Sequence, residues 1–188
     1  MLNIVKFVIG TALLVTACNA PAPVPGASRT PGSPSGAGFG VYHDDAAGFS
    51  IQYPSAWQRI DRGDYPVEFT LQVPPGTNLL EKRMEIVIRQ NAIDCQQSQY
   101  AGGPEGGFPR VERINGVDFL LESMSGIATG NVYEWVSYST MKDTTCITIT
   151  FVLHSASSGV YATEPAPFDK AADSAIFTEL INSFQFDK

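Results

Sequence analysis

Histidine and cysteine are scarce in this 188-residue chain, which holds two of the first and three of the second. Metal centres and nucleophilic sites are built largely from these side chains, so both have little to work with here. The motifs that would organise such chemistry are missing too: there is no G-x-S-x-G elbow, no H-E-x-x-H, no P-loop and no C-x-x-C. His43 stands beside Asp44 and Asp45, a trio that could hold a divalent cation but reads as a solvated polar edge. His154 precedes Ser155, yet neighbouring strand side chains point to opposite faces, which rules out the hydrogen bond of a His–Ser catalytic pair. The expectation is a protein that is not an enzyme and carries no metal or other cofactor. Basic residues are also short, 12 against 19 acidic, and all the acidic ones lie from Val41 onward. That sign of charge is poorly suited to nucleic acid or to an anionic membrane surface.

The apolar stretch from Phe7 to Leu14 is too short to span a bilayer. It follows Lys6 and precedes Val15-Thr16-Ala17-Cys18, an arrangement that resembles a bacterial lipoprotein signal ending in a lipobox. The resemblance implies cleavage before Cys18, diacylglycerol on its sulfur and a further acyl group on the new amino terminus. Two or three chains anchor stably where one does not, since each buried methylene contributes about 0.8 kcal/mol. Residues 1–17 are then a signal peptide, and the mature protein is extracytoplasmic and lipid-anchored to the bacterial cell membrane.

Residues 18–40 are dominated after Cys18 by Pro, Ala, Gly and Ser, with Arg29 as their only charge. Such a composition buries too little apolar surface to offset the entropy of ordering, so it reads as a disordered tether. Its root-mean-square span is about 25 Å on flexible-chain scaling. Gly36, Gly38 and Gly40 mimic a dinucleotide loop only in spacing, because no strand precedes them and no helix follows. From Val41 to Lys188 the composition is that of one globular domain long enough to bury a core.

If Cys18 is lipidated, Cys95 and Cys146 remain. Outside the cytoplasm a leftover pair is most simply a disulfide, with two buried thiols as the alternative and a redox or metal pair disfavoured by the spacing. Alternating hydrophobicity marks strands at Phe49–Tyr53, Val67–Val73, Met84–Arg89, Val132–Thr140 and Cys146–Leu153. Val111–Ile114 and Val117–Leu121 flank Asn115-Gly116, a type I′ hairpin signal, and a second hairpin is expected around Lys142-Asp143. Asp169 is a candidate N-cap for a helix whose apolar face runs through Ala172, Ile176, Phe177, Leu180 and Ile181, with Phe184–Phe186 as a closing strand. A weaker helical signal covers Asp94–Tyr100. The fold class is α+β, an antiparallel sheet covered by one or two helices.

The segment from Asp45 to Trp57, with its Gly48-Phe49 strand entry, Tyr53-Pro54 turn and Trp57, resembles the opening of the PsbP-like superfamily. Ile176 to Phe186 is similar to that family's close. The resemblance implies an α/β/α sandwich and a set of non-enzymatic extracytoplasmic accessory proteins. Trp57, Tyr133, Trp135 and Tyr138 are the candidate contact residues, since Tyr and Trp anchor interfaces and stack on sugars. The preferred reading is a membrane-anchored, non-catalytic domain that binds an envelope protein. The alternative is a lipoprotein that binds a small ligand or carbohydrate.

Overall fold

The computed structural model describes residues 38–61, 63, 66–71, 73, 76–96, 107–159 and 161–187. Cys18, nearly all of the tether and residues 97–106 lie outside them. The alternating stretches form strands β1 (Phe39–Asp44), β2 (Phe49–Pro54), β3 (Gln58–Ile60), β4 (Val67–Leu71), β5 (Leu79–Arg89), β6 (Gly107–Ile114), β7 (Val117–Ala128), β8 (Asn131–Lys142) and β9 (Thr145–Ala156). Helix α1 (Lys170–Asn182) and the short β10 (Gln185–Phe186) follow. The named strands pair antiparallel throughout, in one sheet ordered β1-β2-β10 and a larger one ordered β3-β4-β5-β9-β8-β7-β6. The architecture is α+β, with one helix among the described residues. No helix of the described residues is long and apolar enough to cross a membrane.

Strand β1 begins at Phe39, inside the stretch that composition assigns to the tether. Gly40 explains why a tether-like residue serves there, since a Cβ at this position would lie 2.6 Å from Cζ of Tyr53 on the facing strand. The Asn115-Gly116 turn has both residues at positive φ, 51° and 81°, as a type I′ turn requires. Thr129-Gly130 makes a second such turn, at 47° and 79°, and joins β7 to β8. Sequence reading does not reveal that hairpin, because a β-branched residue at positive φ is a poor turn signal. The β8–β9 turn falls on Asp143-Thr144, one residue later than expected, with Lys142 still paired to Thr145.

One face of the large sheet carries Phe69, Met84, Ile86, Phe119, Ile147, Ile149 and Phe151, all essentially inaccessible to solvent. Helix α1 and the small sheet share the layer that covers it. Phe177 of α1 stacks on Phe151 at 4.6 Å, and Phe184 packs edge-on against Phe119 at 5.1 Å and stacked on Phe49 at 5.4 Å. Each such ring contributes about 1.5–3 kcal/mol through burial. Asp169 caps α1 as expected, its carboxylate accepting the Ala172 N–H at 3.0 Å. The buried face of the helix includes Phe177, Leu180 and Ile181, but Ala172 is exposed and Asp173 is buried. The reason is Lys82, whose ammonium reaches Asp173 from β5 in an ion pair with side chains only 8% and 12% exposed.

Cys95 and Cys146 form a disulfide, 51 residues apart in sequence with Cα atoms 5.3 Å apart. It fastens the segment after β5 to the start of β9. Asp94–Gln96, part of the stretch with a weak helical signal, is irregular backbone. Arg89 secures it by donating to the carbonyl of Gln96 at 3.2 Å.

Candidate binding groove

Helix α1 covers the centre of the large sheet and leaves the same face of β6, β7 and β8 open along its flank. Two adjoining hollows result, of about 330 and 250 Å³, which share Ser123, Val136, Ser174 and Phe177 as walls. The floor is apolar, with Leu121, Val136 and Tyr138 supplied by alternate positions of β7 and β8. Hydroxyls from Ser123, Ser174 and Thr178 line the sides, and Arg110 stands at the β6 end. At the other end the Lys170 ammonium pairs with the Glu134 carboxylate, joining the first turn of α1 to β8. The buried Lys82–Asp173 pair holds the helix that forms the upper wall.

Tyr138 is the polar aromatic of this groove. Its ring meets Phe119 and Phe151 edge-on, each at 6.2 Å. Burial raises the phenol pKa above its ordinary value, the negative charge of Glu112 adds to the rise, and Arg110 opposes it. The hydroxyl therefore stays neutral at physiological pH, able both to donate and to accept.

Of the other candidate contact residues, Trp57 and Tyr133 lie outside the groove and Trp135 at its border. Trp57 is 5% exposed and packs edge-on against Phe177 at 6.4 Å, within the core. Tyr133 is exposed and stacks on His154 at 4.2 Å with the rings 11° from parallel. Trp135, half-buried, borders the smaller hollow. The period of two explains the separation, because Tyr133 and Trp135 share one face of β8 while Tyr138 faces the other. Ser174, Phe177 and Thr178 escaped sequence reading as groove residues. Their spacing along α1 was a usable signal, since positions four apart fall on one flank.

His43, Asp44, Asp45, Arg59 and Asp61 surround a separate recess of about 340 Å³. His43 Nε2 lies 2.9 Å from Asp45, and Asp44 accepts the Ala47 N–H at 2.8 Å and the Tyr42 hydroxyl at 3.1 Å. The Gly63 N–H and the Arg59 guanidinium hold the Asp61 carboxyl below its usual pKa. No group of three or more His, Cys, Asp or Glu side chains among the described residues could hold a metal ion. His154 meets Asn131 at 2.8 Å, while Ser155 is buried on the other face of β9.

No protein-family model matches the chain, and no curated protein matches it in sequence. Solved structures do share its fold. The solution structure of cyanobacterial PsbP (CyanoP) from Synechocystis sp. PCC 6803 superposes with a TM-score of 0.52 at 15% identity, over 82% of this chain and 96% of that one. LpqN, involved in cell envelope biogenesis of Mycobacterium tuberculosis, superposes with a TM-score of 0.50 at 8% identity, over 80% and 91%. A Bacteroides thetaiotaomicron protein matches with a TM-score of 0.46 at 16% identity, over 79% of this chain. This chain spans 48% of that protein's length. The fold is PsbP-like.

Proposed function

We propose that the protein is a lipid-anchored extracytoplasmic accessory domain, non-catalytic, that docks an envelope protein in the groove beside α1. The observation that carries this reading is the groove itself. It joins an apolar floor to a rim of hydroxyls and charges, the composition by which a protein surface binds a partner's side chains. Its open shape suits a partner's surface better than it encloses a small molecule. The lipobox at Cys18 supports the anchor, and LpqN offers a precedent for this fold in envelope biogenesis.

The test is in-cell crosslinking of the tagged full chain, followed by mass spectrometry, with Ser174→Trp as the comparison because Ser174 lines both hollows and an indole there obstructs their junction. The expected result is a reproducible envelope protein with the unmodified chain, lost with Ser174→Trp. Recovery of no reproducible protein, or equal recovery from both, would sink the docking reading. The anchor is tested separately by membrane fractionation of Cys18→Ala, where undiminished membrane association counts against it.

A second reading, a small-ligand or carbohydrate-binding lipoprotein, is favoured by one feature. The larger hollow, with Tyr138 among convergent hydroxyls, falls in the size range of ligand sites. It predicts a saturable rise in melting temperature with a sugar or small ligand, abolished by Ser174→Trp.

A further inference from the structure

The edges of the two sheets are guarded unequally. Unpaired strand edges invite pairing with another chain, and proteins blunt them with proline, charge, bulges or brevity. Strand β6, one edge of the large sheet, carries Pro109, Arg110, Glu112 and Arg113, with a register shift between Gly107 and Arg110. Strand β3, the other edge, is three residues long with Arg59 at its centre. In the small sheet β10 has only two residues. Strand β1 is six residues long and, among the described residues, pairs with β2 alone; it has neither proline nor bulge, and its one fixed charge, Asp44, sits at its last position with the carboxylate turned inward to Tyr42 and the Ala47 N–H.

The hydrogen bonds between β1 and β2 fix which residues of β1 face outward. Ser55 N–H donates to Gly38 O at 2.9 Å, which makes Gly38 and Ser55 a hydrogen-bonded pair. Antiparallel ladders alternate, so Gly40, Tyr42 and Asp44 turn their backbone groups to β2, while Phe39, Val41 and His43 turn theirs outward. The outward residues also have the exposed side chains. Phe39 is 43% and Val41 61% exposed, whereas Tyr42 and Asp44 are buried.

We infer that β1 is a self-association edge, pairing antiparallel with β1 of a second copy about a two-fold axis at Val41. This register is self-complementary. Val41 meets Val41 of the second copy, and Phe39 meets His43 of the second copy in an aromatic cross-strand pair, twice over. Every outward N–H and C=O of the three residues then finds a partner, and the two small sheets become one continuous sheet. No other edge of the described fold offers such a match, since in the equivalent register of two β6 strands, centred on Val111, the outward-facing Pro109 has no N–H to donate to Arg113 of the second copy. A single ribbon of this length buries less than the roughly 1,200 Å² usual for stable complexes. Association is therefore weak in dilute solution and is populated where copies are concentrated on a surface. In that respect alone the inference rests on the Cys18 anchor.

The test places one cysteine at the axis. Val41→Cys in the full chain, oxidised in the membrane fraction, is compared with Val111→Cys, which is at least as exposed but sits on the charged β6 edge. Residues paired across such a ladder have Cα atoms about 5.5 Å apart, within disulfide range. The expected result is about tenfold more disulfide-linked dimer from Val41→Cys, the ratio given by a modest pairing free energy. Equal yields from both variants, or Val41→Cys products of a mass other than twice the chain, overturn the inference. Amide exchange gives a readout without an added thiol. Exchange at Phe39, Val41 and His43 is expected to slow as the surface density of the unmodified chain rises and to remain fast in Val41→Lys at every density. Density-independent exchange in the unmodified chain also overturns it. Because neither variant touches the groove or Cys18, this result is separable from that of the docking and anchor tests.

Discussion

Lys82 occupies an inward position of β5, in the same row as Met84, Ile86 and Ile88, and its charged partner across the core is Asp173 of α1. Asp173→Leu removes that partner and leaves an ammonium among apolar side chains. Breaking a buried pair from one side costs about 3–5 kcal/mol, because the surviving charge has lost its compensation. Lys82→Met should cost a comparable amount by stranding the carboxylate. The double variant Lys82→Met/Asp173→Leu removes both charges and puts apolar volume in their place, so it should lie within about 1 kcal/mol of the parent or exceed it in stability by about 1–4 kcal/mol. Against a total stability of about 5–15 kcal/mol, the single variants are severe and the double one benign. Urea denaturation at neutral pH reads all four proteins, the midpoints shifting while the slope stays constant. If each single variant costs less than about 1 kcal/mol, the range of exposed pairs, the burial argument is wrong. If the double variant is less stable than either single one, the charges serve some purpose other than mutual neutralisation.

Reduction of the Cys95–Cys146 bridge, which closes a 51-residue separation, should lower stability by about 4 kcal/mol on the loop-entropy model, read as a midpoint shift with and without dithiothreitol. Tyr138 is raised in the folded state, so its contribution is complete below pH 10, the ordinary tyrosine value, and is lost as pH climbs through the folded pKa. Tyr138→Phe should flatten the alkaline limb of the stability curve, and an unchanged limb would show that the phenol is not buried as described. Gly40→Val should destabilise by about 1–3 kcal/mol, because its side chain must displace the Tyr53 ring, which packs on Phe69 at 4.4 Å. Thermal denaturation checks this, and a neutral outcome would mean that Tyr53 moves freely.

Where one local rule governs, the sequence was readable. Asn115-Gly116, the Asp169 cap and the alternation Ile147, Ile149, Phe151 each rest on a short-range preference that the fold has no reason to override. The misread places are those where a distant residue decides. Asp173 looks like a solvent position until Lys82 is placed opposite, and Gly40 looks like tether until Tyr53 claims the space above it. The groove was the least legible feature, since its floor and its upper wall come from β6–β8 and α1, elements separated by the whole of β9. The aromatics of β8 were visible in sequence. Their division between two faces follows from the same period of two that revealed the strand.

That period also conceals what lies on the reverse side of the large sheet. Thr148 and Thr150 alternate with apolar residues and so read as solvent-facing, yet they are 4% and 3% exposed, and Ser137 and Ser139 opposite them are buried as well. The hydroxyls satisfy one another across the strands. Ser139 and Thr148 lie 3.1 Å apart, and Thr150 donates to Ser137 at 3.3 Å. A buried hydroxyl without a partner costs about 1–3 kcal/mol, so the pairing is what permits a polar row in a covered position. It also fixes the register from both sides. A slip of one residue between β8 and β9 would separate the hydroxyl pairs and, by turning β9 over, drive Thr148 and Thr150 towards Phe177 while Ile149 and Phe151 moved to the polar row. The two strands are held in place by an apolar face that must meet α1 and by a hydroxyl face that must meet itself.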